Sequence, residues 1–327
     1  MKDDLKNSIM QRVKKDLAEI ESELAGNLRP HFELVLQVSR HILFSGGKRL
    51  RPLLMVISAK LCDFGGTNAC KFSTIFEFLH AATLLHDDVV DGARFRRGNP
   101  VAHAVWDSAT AVLVGDFLLA RSLTLAAETG SPRVIQVIAE ITEYMSQGEI
   151  HQLANKGAID LSEKEYMHVI RCKTAVLFAG ACRSSAILAN VSREKETALK
   201  NYGLNLGFAF QMADDLLDYT ADSSTLGKLV GADLREGKLT LPVIHALQTV
   251  DAENRERMLK IIQNKEFSQE EFKALVDILI RCGSIDYTRN KASAFIRKAK
   301  QSLEVFEEDP AKALLYDIAD YALVRKT

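Results

Sequence analysis

Two aspartate clusters carry the strongest chemical signal in the chain: Asp87, Asp88 and Asp91 in LLHDDVVDG, and Asp214, Asp215 and Asp218 in QMADDLLDY. Each holds carboxylates at positions i and i+4, which a helix presents on one face. Like charges at that spacing repel, so an apolar helix ending in three ionised aspartates is destabilised unless a cation is held among them. Magnesium fits this demand, because it uses a few carboxylate oxygens and completes its octahedron with water and substrate phosphates. An EF-hand calcium site needs alternating oxygen ligands around a central glycine, and zinc needs more His or Cys than stand here. A single such motif reads equally well as a solvated acidic face. Two of them, each set in an apolar helix, do not.

Cations cluster near the same motifs. GGKRLRP offers Lys48, Arg49 and Arg51 beside two glycines, and RFRRGNP brings Arg94, Arg96 and Arg97 just after the first aspartates. Glycine lets backbone approach an anion, Arg grips phosphate in bidentate fashion, and Lys adds a point charge. Lys173 with Thr174, then Lys228 and Lys238, add isolated cations near hydrogen-bonding groups. The pattern predicts two anion sites without the spacing of a nucleotide-binding P-loop. The competing reading of each basic loop is a solvated turn. His80, His86 and His103 surround this region. His80 lies two helical turns before Asp87 on the same face and is expected to touch a ligand, whereas His86 and His103 read as buried, backbone-bonded histidines. No Ser/His/Asp or Cys/His arrangement signals a protein nucleophile.

The elements that must position these groups are helices. Leu5, Ile9, Val13, Leu17, Ile20 and Leu24 step by four or three residues, building one apolar stripe. The same spacing recurs over 72–90, 109–127, 134–153, 166–188, 198–217 and 272–279. Ser162 with Glu165, and Ser268 with Glu271, form capping-box patterns. Pro132 and Pro242 suit first helical turns, and Gly130, Gly157 and Gly283 suit helix ends. Three loops, 45–52, 91–100 and 221–242, are crowded with Gly, Arg and Lys. With 327 residues, 47% of them hydrophobic, and brief polar loops, the pattern favours one domain over 1–327. Lys plus Arg (42) balance Asp plus Glu (43), so no global charge points to nucleic acid. Five scattered cysteines without a CxxC pair fit a reducing cytoplasm. Neither a secretory signal nor a transmembrane helix is expected.

These residues together resemble the trans-isoprenyl diphosphate synthases. GGKRLRP, LLHDDVVDGARFRRGNP, Gly115–Asp116, CKTA from Cys172, FQMADDLLDY and GKLVGADLREGKLTLP match the family's blocks in order. The resemblance implies an all-α bundle of helices around a deep apolar cavity, acting as a homodimer on isopentenyl diphosphate and an allylic diphosphate with Mg2+. Carried over residue by residue, it implies that Lys48, Arg51, His80 and Arg97 bind isopentenyl diphosphate. Arg96, Lys173, Thr174, Gln211, Lys228 and Lys238 would then bind the allylic diphosphate. Asp87, Asp91 and Asp214 would ligate metal, with Asp88, Asp215, Asp218 and Lys173 completing the catalytic set. Magnesium and the cations would stabilise the departing diphosphate, and the isopentenyl double bond would attack the resulting allylic cation.

Product length is read from the helix leading into DDVVD. Thr83 and Ala82 precede Asp87 by four and five residues, and no aromatic plug stands there. Leu79 and Phe76 are the next bulky groups, Phe76 about 16 Å up the axis at 1.5 Å per residue. A long chain must slip past Phe76; RRGNP and GKLVGADLREGKLTLP resemble the family's long-chain pattern, and that resemblance implies a product near octaprenyl from a farnesyl or geranyl primer, with geranylgeranyl as the shorter alternative. A class I terpene cyclase would leave GGKRLRP without a ligand. A silent synthase subunit tends to lose an aspartate cluster. A metal phosphohydrolase would want several His ligands, and a helical scaffold leaves the clustered charge unexplained.

Overall fold

The structure, a computed structural model, describes residues 2–66, 68–220, 231–264 and 266–324. The described residues are almost wholly helical, as the spacing predicts. Helices α1 (Lys2–Asn27), α2 (Glu33–Leu43), α3 (Leu50–Leu61) and α4 (Ala69–Asp91) lead to a two-stranded hairpin, Phe95–Arg96 with Asn99–Pro100. There follow α5 (Ala102–Val105), α6 (Ser108–Glu128), α7 (Pro132–Ala154) and α8 (Glu163–Ile170). One wide π-type turn, Arg171–Ala175, joins α8 to α9 (Val176–Leu188), and α10 (Arg193–Thr220) carries the second aspartate motif. The rest comprises α11 (Ala232–Arg235), α12 (Leu241–Thr249), α13 (Ala252–Gln263), α14 (Gln269–Arg281), α15 (Ser284–Ser302) and α16 (Pro310–Val324). Both capping boxes form, Pro132 opens α7, Pro242 lies in the first turn of α12, and Gly130, Gly157 and Gly283 take positive φ.

The chain divides into two compact units, each gathering three separate stretches. The first comprises Met1–Ile141, Leu177–Gly203 and Ser302–Ile318. The second comprises Thr142–Val176, Leu204–Gln301 and Ala319–Thr327.

In the first unit α4 is the central helix. It is apolar nearly all round and packs on α6, α3 and α1, burying Ile75, Phe76, Phe78, Leu79, Ala82 and Leu85. Full burial of one such Phe or Leu contributes about 1.5–3 kcal/mol. The α1 stripe buries Ile9, Val13, Ile20 and Leu24 against this core. Helix α4 stops at Gly92, whose left-handed backbone (φ 65°) lets its N–H reach the Asp88 and Val89 carbonyls. Beyond it, Arg97 (φ 53°) and Gly98 (φ 80°) make the two-residue hairpin turn, a type I′ geometry that suits the twist of paired strands. Helix α6, alone among the described residues, is long and apolar enough to cross a membrane. It packs along α4 instead, burying Ala111, Val114, Leu118 and Leu125.

In the second unit the π-type turn is held tightly from two sides. A Cβ on Gly207 of α10 would lie 2.5 Å from the Ala175 Cα, and one on Gly148 of α7 would lie 2.5 Å from the Cys172 Cβ. Both glycines are therefore required by close approach. Stacked Phe208–Phe295 and Tyr219–Phe272 pairs complete this core.

Candidate active site

The first motif occupies the last turn of α4, where the helix dipole is negative, so dipole and mutual repulsion both penalise its carboxylates. The middle one is compensated by an arginine. Asp88 is only 2% exposed, and Arg96 from the hairpin donates to it from Nε (2.9 and 3.1 Å) and from Nη2 (2.8 Å). Asp87 and Asp91 remain half-buried at i and i+4, on one face of the helix. His86, beside Asp87, donates from Nε2 to the Val112 carbonyl (3.1 Å) and lies 3.4 Å from Asp116. Gly115 makes room for that ring, since any Cβ there would collide with it. The Gly115–Asp116 pair is thus a seat for His86, which makes the expected backbone bond but is not buried, its side chain being 34% exposed.

Four sequence-predicted cations or ligands of the first unit converge. Arg51, Arg97 and Arg96 crowd His80, and burial together with these positive charges holds its imidazole well below the usual histidine range, hence neutral. Arg51 lies over the Phe178 ring (5.1 Å), and Arg97 donates to the Gly46 carbonyl, tying the hairpin turn to the glycine pair of GGKRLRP. Lys48 is exposed at the same loop. Arg49 does something different. It is 6% exposed, takes φ 47°, and donates to Glu21 (2.6 Å), Glu77 (2.8 Å) and the Leu43 carbonyl (2.6 Å). Its charge is spent inside the protein, where it pins the loop, and it is no part of an anion site. The unusual Glu77 within apolar α4 is the sequence signal that a buried cation must lie opposite.

In the second unit Lys173, Thr174, Gln211, Asp215 and Lys238 line one cavity of about 200 Å3. Tyr166 donates to Asp215 (2.6 Å), Gln211 donates to its other oxygen (2.8 Å), and Thr174 donates to the Gln211 carbonyl (2.8 Å). Burial raises the Asp215 carboxyl to about 7, with Tyr166 and Gln211 opposing the rise and Asp214 and Asp218 adding to it. Asp218 accepts from the backbone N–H groups of Ala232 (3.1 Å) and Asp233 (3.2 Å), fixing the start of α11. Asp214 is half-buried. Lys173 pairs with Glu149, and Lys238 with Glu236 (2.8 Å). Lys228 lies outside the described residues.

Sequence reasoning missed two members of this cavity. Tyr166 reads as one more apolar helix position, and nothing in its spacing reveals the carboxylate partner. Asp233 also lines the cavity, its carboxyl held well above the usual range by burial and by Asp215 and Asp218. Its place in the Gly- and Lys-rich 221–242 segment was the available signal. The chain-length candidates differ in placement: Phe76, Leu79 and Ala82 are buried in the core of the first unit, and Thr83 is half-buried, its hydroxyl donating to the His80 carbonyl (2.9 Å).

An all-α fold with paired aspartate motifs, each accompanied by cations, defines a prenyltransferase of the isoprenoid synthase type. Residues 32–279 match the polyprenyl synthetase family, and the chain belongs to it. It is 38% identical over 310 residues to the octaprenyl diphosphate synthase of Escherichia coli, spanning 95% of this chain and 96% of that one. It is likewise 38% identical over 325 residues to an all-trans-nonaprenyl-diphosphate synthase (geranyl-diphosphate specific) of Rhodobacter capsulatus, spanning 98% of both. A polyprenyl synthase from Caulobacter crescentus, crystallised with calcium and isoprenyl diphosphate, superposes with a TM-score of 0.92 at 37% identity over 98% of each chain. The chain is a prenyltransferase of the long-chain type.

Proposed function

We propose that the protein condenses isopentenyl diphosphate repeatedly onto a farnesyl or geranyl diphosphate primer, using magnesium, to a product near octaprenyl length. The observation that carries this reading is the guanidinium cluster of Arg51, Arg96 and Arg97 around a neutral His80, joined through Arg96 to the first aspartate motif. Such a cluster is an anion site, and a carboxylate pair beside it is a place for a cation that binds the same anion.

The donor set suits magnesium, being carboxylate oxygen alone. Among the described residues no three His, Cys, Asp or Glu groups stand as a ready-made metal cluster. Magnesium needs none, because it binds through one or two carboxylates plus water and phosphate. Asp87 and Asp91 would hold magnesium at the first motif, and Asp214 would hold magnesium at the second; the Caulobacter relative's calcium with isoprenyl diphosphate supports a divalent ion. When bound, the ion supplies positive charge to the departing diphosphate.

Lys48, Arg51, His80 and Arg97 orient isopentenyl diphosphate. In the second unit Lys173, Thr174, Gln211, Lys228 and Lys238 receive an allylic diphosphate, and in the first unit Arg96 is assigned the same kind of ligand. The allylic C–O bond breaks with its electron pair leaving on the diphosphate, the isopentenyl double bond supplies the pair for the new C–C bond, and the proton then lost passes to the released diphosphate. No side chain becomes covalently bonded, and the apolar helices exclude water from the cation. The reading takes 1–327 as one domain working in the cytoplasm as a homodimer. Exposed Val112, Leu113 (66%) and Leu123 on α6 support a partner face. Incubation with labelled isopentenyl diphosphate and farnesyl diphosphate, with and without magnesium, tests the reading through the length of the products.

A further inference from the structure

We propose that Tyr166 is a positioning residue of the reaction, its hydroxyl fixing Asp215 and thereby Gln211 and Thr174 toward the allylic diphosphate. The inference rests on the reading above that Thr174 and Gln211 meet that substrate.

The geometry makes the four groups one device. Tyr166 is 3% exposed and Asp215 4%, so each is held chiefly by protein partners. Asp215 accepts from Tyr166 at Oδ2 (2.6 Å) and from Gln211 at Oδ1 (2.8 Å). The bonds run one way along the line: Gln211 turns its amide nitrogen to Asp215 and its carbonyl to Thr174, whose hydroxyl donates to it (2.8 Å). Every rotor along the line is thereby set, and the second amide hydrogen of Gln211 is the one that can reach a diphosphate oxygen. Without the Tyr166 hydroxyl, Asp215 loses one of its two donors and is free to rotate, and the amide and hydroxyl orientations beyond it are no longer unique.

The backbone reinforces the arrangement. Tyr166 stands in α8 and Thr174 in the π-type turn that continues it, so one stretch of chain supplies both ends of the line. Wide turns of this kind are costly and recur at functional sites. Here Gly148 and Gly207 clamp the turn, as shown above, so Thr174 has little freedom to follow a displaced Gln211.

The test is Tyr166→Phe in the full-length enzyme with magnesium, compared with Gln211→Ala, Thr174→Ala and the Tyr166→Phe/Gln211→Ala double variant. The Phe ring keeps the buried volume, so the variant folds, and its melting temperature is recorded. The kcat with farnesyl diphosphate should fall about tenfold or more, as small misplacements of positioning groups do, with the KM for isopentenyl diphosphate changed by less than about twofold. In the Gln211→Ala background the Tyr166 change should add almost nothing, because both act through one line. A lowered melting temperature with unchanged kcat, or effects that multiply in the double variant, would overturn the inference and mark Tyr166 as structural. If Gln211→Ala and Thr174→Ala slow turnover while Tyr166→Phe does not, the positioning role alone fails. If none of the three slows turnover, the allylic reading of this cavity fails and takes the inference with it.

Discussion

Arg96 and Asp88 form a three-bonded ion pair, with the carboxylate buried at the end of α4 and the guanidinium delivered by the hairpin that follows. The middle aspartate of the first motif therefore holds an arginine in place, while the outer two, Asp87 and Asp91, lie half-buried on one face of the helix. The charge that repels within the motif is reduced by one, and the arginine brought in lies close enough to His80 to add to the burial that holds its imidazole neutral.

Arg96→Ala is accordingly expected to act on both stability and turnover. Removing the donors strands a buried carboxylate, costing about 1–3 kcal/mol in urea unfolding. The KM for the allylic primer should rise as well. Lys48, exposed on its loop, gives the contrast: Lys48→Ala should cost less in unfolding than Arg96→Ala and raise the KM for isopentenyl diphosphate. Equal stability of the two variants would contradict the Asp88 pairing.

Gly115→Ala should destabilise, against the usual trend. At an open helix position the change from glycine gains about 0.5–1 kcal/mol. Here the new methyl meets the His86 ring, and overpacking of that kind costs about 1–3 kcal/mol while displacing the neighbour of Asp87. Urea unfolding reads the sign, and a slower magnesium-dependent rate should accompany it.

Asp215 predicts a pH dependence. In the folded chain its carboxyl sits at about 7, against an ordinary value of 3.8, chiefly through burial. Between those values the folded chain keeps a proton that the unfolded chain has released, so this group's contribution falls as pH rises from about 4 to about 7 and is lost above. Asp215→Asn removes that dependence. Measured without metal, the stability of the variant relative to the parent should improve across that window by up to a few kcal/mol. A flat difference would contradict the raised carboxyl.

Product length tests the helix before DDVVD. At about 100° per residue, His80, Thr83 and Phe76 lie within about 40° of the Asp87 direction, whereas Ala82 is about 140° away. Ala82→Phe can narrow the Asp87 face only by overpacking the core behind it, so its shortening of the product to about farnesyl or geranylgeranyl length should come with a stability loss of about 1–3 kcal/mol. Thr83→Phe, starting half-buried, should shorten it with less loss of stability. The parent distribution in both variants would show that the chain grows elsewhere.

How much of this was readable beforehand follows from how local each signal is. The aspartate motifs, GGKRLRP and the capping boxes are short patterns whose physics is complete within a few residues, and Lys173, Thr174, Gln211 and Lys238 did come together on one cavity. Arg49 looked like its neighbours Lys48 and Arg51 because its partners, Glu21 and Glu77, are each 28 positions away. The hairpin at 95–100 hid in a loop too short for alternation, with only Gly98 to mark its turn. Tyr166 could not be separated from the apolar face of its helix, since its partner Asp215 lies 49 residues on. The π-type turn has no sequence period of its own.

The most direct measurement is chromatography of the products formed from labelled isopentenyl diphosphate and farnesyl diphosphate by the parent, Asp87→Ala and Asp214→Ala proteins. The parent should make magnesium-dependent chains near octaprenyl length. Each variant should be slower by about two orders of magnitude or more, because stabilising the leaving diphosphate is a transition-state effect, and each should remain folded, since one of several repelling acids is gone. Near-parental elongation by either variant in excess magnesium, or release of phosphate without elongation by the parent, would contradict a magnesium-dependent prenyl transfer carried by both aspartate motifs.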